Sequence, residues 1–255
     1  MILNKIIPNK IFLNKIFKVN MSVTSHGNIT LDNLEEAKRK TALYGPQRVI
    51  LSVIVKCILT DIGSTWTIDS GTLLGAWRDE GKMLEHDDDF DFVIFAPGID
   101  QHKPNRDKKC HAFLTTLSEE FEERLPFPYK CRVVNTYCKK LEIYDPEKGD
   151  YPFSPLPTVS TNYHNVTCDV MIILCGYSDS NMYLQHEKLR HVKIPSKYFF
   201  NSGEIEMPTI RYEGSSYNCP SNPEGYLTSI YGYVGRNAAY NPKTQFYEPR
   251  EQFGV

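Results

Sequence analysis

Asp87-Asp88-Asp89-Phe90-Asp91 places four carboxylates in five residues, shortly after Gly71-Thr72-Leu73-Leu74-Gly75. Acids this close repel one another, so folding them together calls for something cationic to neutralise them. Phe90-Asp91-Phe92-Val93-Ile94-Phe95 has strong β preference. A strand over 89–95 alternates its side chains and sets Asp89 and Asp91 on one side. Two carboxylates on one face at the start of a buried strand suit a hard cation, Mg²⁺ or Mn²⁺. A third acid, Asp169, stands inside the apolar run Thr167-Cys168-Asp169-Val170-Met171-Ile172-Ile173. A charge left unpaired among such neighbours is expensive. A metal shared with Asp89 and Asp91 removes that cost; an Arg or backbone N–H partner would do so too. Gly71 and Thr72, at a helix start, offer N–H groups to an anion. Arg78 and Lys82 lie just beyond and can neutralise a phosphate. Phosphate donors beside a two-carboxylate metal site are the working parts of phosphoryl transfer.

The elements that must position these groups are legible in outline. The spacing of Val49, Ile50, Val53, Ile54, Cys57 and Ile58 predicts a helix over 47–61, preceded by one over 34–43, with Gly45-Pro46 between them. Asp32 is its expected cap, with Glu35 as reciprocal partner. A short strand over 65–69 leads into a helix over 72–77. A helix is expected over 108–124, paired strands over 130–137 and 139–144, and a strand over 166–174. The prolines of 145–158 mark a loop. A strand over 207–212 and a helix over 223–231 follow, the latter capped by Asn222 and closed by Gly232. The tail after Tyr240 is expected to wrap the surface. The fold class is α/β (α+β), a mixed sheet flanked by helices in one domain over 31–255.

The chain has 255 residues, and its formal charge of −2 gives no general attraction to nucleic acid or anionic membrane. Its seven cysteines are odd in number and lack any Cys-x-x-Cys pair, so neither a zinc site nor a full disulfide framework is implied. Residues 1–30 form a biased extension, expected to be disordered, in which a Leu/Pro-Asn-Lys-Ile motif recurs every five residues; Met21 is an alternative start. Its lysines interrupt every apolar run, so no transmembrane segment and no secretory signal is expected. That favours a soluble cytoplasmic location, with the lumen of the secretory pathway as the alternative. Asn165-Val166-Thr167 matches a glycosylation tripeptide, as chance allows in an Asn-rich chain.

The Gly-Thr turn, acid-x-acid strand and later acid resemble the nucleotidyltransferase superfamily. Asp69-Ser70-Gly71-Thr72-Leu73-Leu74-Gly75-Ala76-Trp77-Arg78, with the acid run after it, more closely resembles the LicD family, which includes the fukutin-like proteins. Pro220 to Tyr226-Leu227 and Tyr231-Gly232 resemble that family's C-terminal region. The resemblance spans roughly 62–240. It implies a nucleotidyltransferase-like fold and transfer of a phosphorylated alcohol, such as phosphocholine or ribitol phosphate, from a CDP-linked donor to a glycan or glycolipid hydroxyl, with release of CMP. Mapped onto this chain, Asp89, Asp91 and Asp169 hold the metal, Asp169 alternatively takes the proton of the attacking hydroxyl, and Arg78 offsets charge on the leaving group. Gly71, Thr72 and Arg78 meet phosphate oxygens. Where the family often has Pro-Trp before its acids, this chain has Glu85-His86, so His86 either replaces an aromatic residue or touches substrate.

Other readings stay open at this point. A nucleotidyl- or glycosyltransferase can use the same Asp-x-Asp pair with another nucleotide donor. A catalytically silent binding protein can keep the same fold. Arg78 can simply pair with Asp79, Glu80 or the acid run. Lys139 and Lys140 either reach phosphate or line a solvated edge. A helix-loop-helix calcium site does not fit, because Phe92 and Gly98 stand where Gly and Glu are needed.

Overall fold

A computed structural model describes residues 34–100, 103–135, 139–148, 164–178, 181–186, 193–200, 207–235, 237–241, 246–249 and 251. The N-terminal extension, Asp32 and most of the proline-rich loop lie outside the described residues.

Helix α1, Leu34–Asp61, is continuous. The two helices expected around Gly45-Pro46 are one, because Pro46 removes a single internal hydrogen bond while both flanks are fastened to the rest of the chain. On the N-terminal side the Thr41 hydroxyl donates to the Asp87 carbonyl at 2.7 Å. On the C-terminal side Leu51, Val55, Ile58 and Leu59 enter the core. Of the face expected from the spacing only Ile58 is buried, while Ile50 and Cys57 are exposed, because the sheet meets α1 on its other apolar side. By length and composition α1 is apolar enough to cross a membrane. One apolar side of it, through Leu51, Val55 and Leu59, is turned to the core, while Leu43 and Ile50 on the other side are exposed, and it carries a fully buried Arg48.

Strand β1 (Trp66–Ile68) leads into α2 (Ser70–Arg78), then β2 (Asp91–Asp100) and α3 (Arg106–Arg124). Strands β3 (Lys130–Asn135) and β4 (Lys139–Tyr144) precede the long β5 (Thr167–Ser178). Then come β6 (Asn181–His186), β7 (Ile194–Pro195) and a 3₁₀ turn, Ser196–Tyr198. The hairpin of β8 (Thr209–Tyr212) and β9 (Ser215–Asn218) stands before α4, Pro223–Tyr231. In the tail, β10 (Ala238–Asn241) pairs with β11 (Phe246–Pro249).

The main sheet runs β1-β2-β5-β4-β3, with β6 on the far half of β5 and β7 beyond it. Strands β2 and β5 are parallel, whereas β1–β2, β4–β5, β3–β4, β5–β6 and β6–β7 are antiparallel. The fold is therefore α/β with a mixed sheet, as its alternating elements imply.

Strand parity divides the sheet into two surfaces. Phe92, Ile94, Val170, Ile172, Leu141 and Ile143 share one face and are buried. Helices α1 and α3 cover that face. The Ser52 hydroxyl of α1 meets Tyr217 OH at 2.7 Å, and Tyr217 lies against Phe90 and Phe92. From α3, Asp107 pairs with Lys139, and Ser118 contacts Cys131. On the opposite face Phe95 packs on Phe199, which packs edge-on against Tyr226 of α4.

Gly75 shows how tightly the site's supports close. A Cβ there would stand 2.4 Å from the Lys82 carbonyl oxygen and 3.2 Å from the Tyr212 ring. Gly75→Ala is expected to destabilise the fold by about 1–3 kcal/mol, the range for overpacking, read from the denaturant midpoint. An unchanged midpoint would show that the 82–85 segment yields freely.

Candidate functional site

Register assembles the acids. In the parallel β2–β5 pair Asp91 stands beside Asp169. In the antiparallel β5–β4 pair Asp169 stands beside Glu142, and across β4–β3 Glu142 stands beside Arg132. A single row of charged side chains thus crosses four strands on one face. Asp89 precedes β2 rather than lying within it as expected. Its neighbour Phe90 nonetheless continues the ladder: the Phe90 N–H donates to the Thr167 carbonyl at 3.2 Å, and the Asp169 N–H donates to the Phe90 carbonyl at 2.9 Å. Asp89, Asp91 and Asp169 each present a carboxylate oxygen within 4.8 Å of the others, and Asp87, Asp88 and Asp89 form a second such group. Asp89 Oδ1 and Asp169 Oδ1 are buried and accept no hydrogen bond among the described residues. Buried carboxylate oxygens left this way favour a cation between them. The residues present therefore fit a hard divalent ion.

The α2 turn fastens to the same place. The Asp69 N–H donates to the Asp91 carbonyl at 3.0 Å, and the Asp91 N–H donates to Thr72 Oγ1 at 2.9 Å. Thr72 is fully buried, so its hydroxyl oxygen fixes the backbone of Asp91. Leu73 N–H already bonds the Asp69 carbonyl, and the earlier N–H groups of Ser70, Gly71 and Thr72 are those a helix start leaves for an anion. Ser70 holds φ 49°, a left-handed value, at this turn.

Of the residues expected at the site, the structure brings Asp89, Asp91 and Asp169 together, with Gly71 and Thr72 behind them. Arg78 is turned onto Asp79, its Nη2 2.9 Å from Asp79 Oδ2. That is the pairing the sequence left open beside a phosphate role. His86 is buried next to the Arg78 charge. Asn165 is buried too, and its amide donates to the Lys148 carbonyl at 2.6 Å, which leaves no room for a glycan.

Five residues of the site, Lys140, Glu142, Arg132, Tyr226 and Arg48, escaped the sequence reading or were left ambiguous by it. Lys140 reaches in from β4 to Asp169 Oδ2, with Glu142 Oε1 at 3.8 Å. Arg132 pairs with Glu142. The Tyr226 hydroxyl donates to Asp69 Oδ1 at 2.7 Å, tying α4 to the start of α2. Arg48 donates to the carbonyls of Asp87 (2.6 Å) and Asn165 (2.9 Å), which pins the acid run from below. The alternation of Lys140 and Glu142 was visible, but the β4–β5 register that aims them was not.

Residues 63–132 match the family described as LicD/FKTN/FKRP, nucleotidyltransferase domain. No curated protein matches the chain.

Without a cation the site is electrostatically strained. Burial, then the Asp88 charge, pushes the Asp87 carboxyl up to about 8, although Arg48 pulls the other way. Burial, then Asp91 and its neighbours, holds Asp89 well above the carboxylate range. His86 is lowered to about 4, by burial and then by Arg78. A raised acid binds more protons folded than unfolded, so stability falls as pH climbs from the unfolded value of 3.8 to the folded value near 8. A lowered histidine acts oppositely, adding stability from about 4 up to 6.5 and nothing beyond. The two effects overlap below pH 6.5 and separate above it. In EDTA the parent is expected to lose stability from pH 6.5 to 8, with Asp87 contributing up to roughly 1.4 kcal/mol per pH unit. Thermal melts of parent and Asp87→Asn should diverge across that window, with the variant shallower; parallel curves would count against the buried, proton-holding Asp87.

Proposed function

We propose that this chain, whose residues 63–132 match the LicD/FKTN/FKRP nucleotidyltransferase domain, is a divalent-metal-dependent transferase of that phosphotransferase-type family. Its reaction moves a phosphorylated alcohol, of the phosphocholine or ribitol-phosphate kind, from a CDP-linked donor to a hydroxyl of a glycan or glycolipid. The observation that carries this reading is the convergence of Asp89, Asp91 and Asp169, two of them with buried, unpartnered oxygens, next to the α2 turn. Asp169 lies outside the matched segment and arrives by strand register. This supports reading 31–255 as one catalytic unit.

Asp89, Asp91 and Asp169 would hold Mg²⁺ or Mn²⁺. When bound, the ion supplies charge neutralisation for the donor diphosphate. The first N–H groups of α2 meet non-bridging phosphate oxygens and align the phosphorus for in-line attack. Arg78 takes part by leaving Asp79 for the leaving phosphate, and His86, neutral at pH 7, lines the donor pocket beside it. The acceptor oxygen forms its bond to the phosphorus that carries the alcohol, the bond from that phosphorus to CMP breaks, and the acceptor proton passes to Asp169. No covalent intermediate on the protein is required.

A panel of CDP-, UDP- and CTP-type donors, with CMP, UMP, UDP and pyrophosphate release measured, tests the assignment. CMP release that depends on Mg²⁺ or Mn²⁺ is expected. Asp89→Ala and Asp91→Ala should lower turnover by about 10³-fold or more, as loss of charge stabilisation does, and should abolish metal-dependent donor binding in calorimetry. Release of UDP or pyrophosphate instead would assign a glycosyl- or nucleotidyltransferase. Variants that bind donor as well as the parent would remove the site assignment.

A further inference from the structure

Lys140 raises a question that the family match does not answer, because it lies outside the matched segment. Two-metal phosphoryl-transfer sites hold their ions about 3.5–4 Å apart between shared carboxylates. Here a lysine ammonium already occupies one side of the shared carboxylate. Lys140 Nζ lies on Asp169 Oδ2, with Glu142 Oε1 3.8 Å away. The other oxygen, Asp169 Oδ1, is the one that is buried without a partner among the described residues. Asp169 is therefore divided: one oxygen belongs to the ammonium, the other faces Asp89 and Asp91.

The arrangement is built in rather than incidental. Strand parity puts Lys140 and Glu142 on the same face of β4 as Asp169 on β5, and the register fixes Glu142 directly opposite Asp169. Arg132 on β3 holds Glu142 from the far side. The charges then decide the stoichiometry. With its protons displaced by an ion, the row of Asp89, Asp91, Asp169 and Glu142 supplies four negative charges, while Lys140 and Arg132 supply two positive ones; the nearby Asp88 and Asp87 face Lys40 and Arg48 in turn. The remainder is −2, the charge that one divalent ion neutralises. Before a donor brings its phosphate charge, a second divalent ion would have to share this recessed site with the ammonium and would leave the row with an excess of two positive charges.

We propose that Lys140 is a resident cation standing where a second divalent ion would otherwise bind, so that this centre takes one divalent ion and Lys140 acts as a positioning residue for Asp169. This rests on the metal-site reading given above and deepens it. Lys140 then has two effects. It holds Asp169 with Oδ1 toward Asp89 and Asp91, and it would leave a donor phosphate to be neutralised by one metal together with the α2 turn.

Electron paramagnetic resonance of the full chain titrated with Mn²⁺ tests the proposal without reference to turnover, because two Mn²⁺ ions about 4 Å apart couple their spins and an isolated ion does not. The parent is expected to show one uncoupled ion at the centre, lost in Asp89→Asn. Lys140→Met is expected to admit a second ion and give a coupled pair, and Lys140→Arg, which restores the charge, is expected to return the single ion. Should Lys140→Met fail to fold, Lys140→Gln is read in the same way. A coupled pair in the parent, or a single uncoupled ion in the folded Lys140→Met or Lys140→Gln protein, overturns the role given to Lys140 and leaves the metal site standing. A parent that binds no Mn²⁺ at the acids overturns the metal reading, and this inference with it.

Discussion

A parallel ladder that sets Asp91 beside Asp169 forces two carboxylates together in a buried place, and much of the protein answers that constraint. The repulsion cannot relax sideways, because each acid belongs to a strand locked on both edges. Opposite charge has to come to the acids instead. Lys140 and Arg132 bring it along the same face, and Arg48 brings it beneath the acid run. These cations leave the repulsion only partly offset, and Asp89 still retains its proton far above the ordinary range. A site that remains anionic after its own bases are counted is one that gains stability when a divalent ion binds.

The core and the charged row are opposite faces of the same strands. Asp91 alternates with Phe92, Asp169 with Val170, and Glu142 with Leu141, and each apolar member is fully buried. A slip of one residue would drive the acids into the helices and the core into the site. Packing of Phe92 against Trp66, Phe90 and Tyr217 thereby holds the register that keeps the carboxylates within ligand distance of one another. Core stability and site geometry cannot vary independently in such a sheet.

What could be read from residue order was whatever local physics decides. The β run after Asp91 and the Asn222 cap, whose side chain accepts from Gly225 N–H at 2.8 Å, were legible, whereas the face of α1 that enters the core runs through Leu51 and Val55 and not through the expected Val49, Ile50, Val53, Ile54 and Cys57. Tertiary contacts decided the rest. Pro46 looked like a break, yet contacts on either side carry α1 through it. Thr72 was read as a phosphate ligand because a hydroxyl at a helix start often is one; that its oxygen also receives the Asp91 N–H follows only from the fold. Lys140 was ambiguous because an exposed edge and a site wall have the same alternation, and only the pairing partner of β4 tells them apart.

The matched segment ends at residue 132, but the proposed chemistry does not. Residues 63–132 contain Asp89, Asp91 and the α2 turn, the two metal ligands and the phosphate cradle of the proposed reading. The third acid and the ammonium beside it come from β5 and β4, both beyond that segment. The turn itself depends on the far end of the chain. Asp69, at the start of α2, makes no capping hydrogen bond with its own side chain. That carboxylate is held by the Tyr226 hydroxyl from α4, and Tyr226 is wedged in turn by Phe199. A buried carboxylate deprived of such a donor bears the full desolvation penalty, and the first turn of α2 would move with it. The Tyr-Leu segment near the C-terminus thus has a physical reason to accompany the Gly-Thr turn: Tyr226 holds Asp69, and Asp69 holds the turn against Asp91.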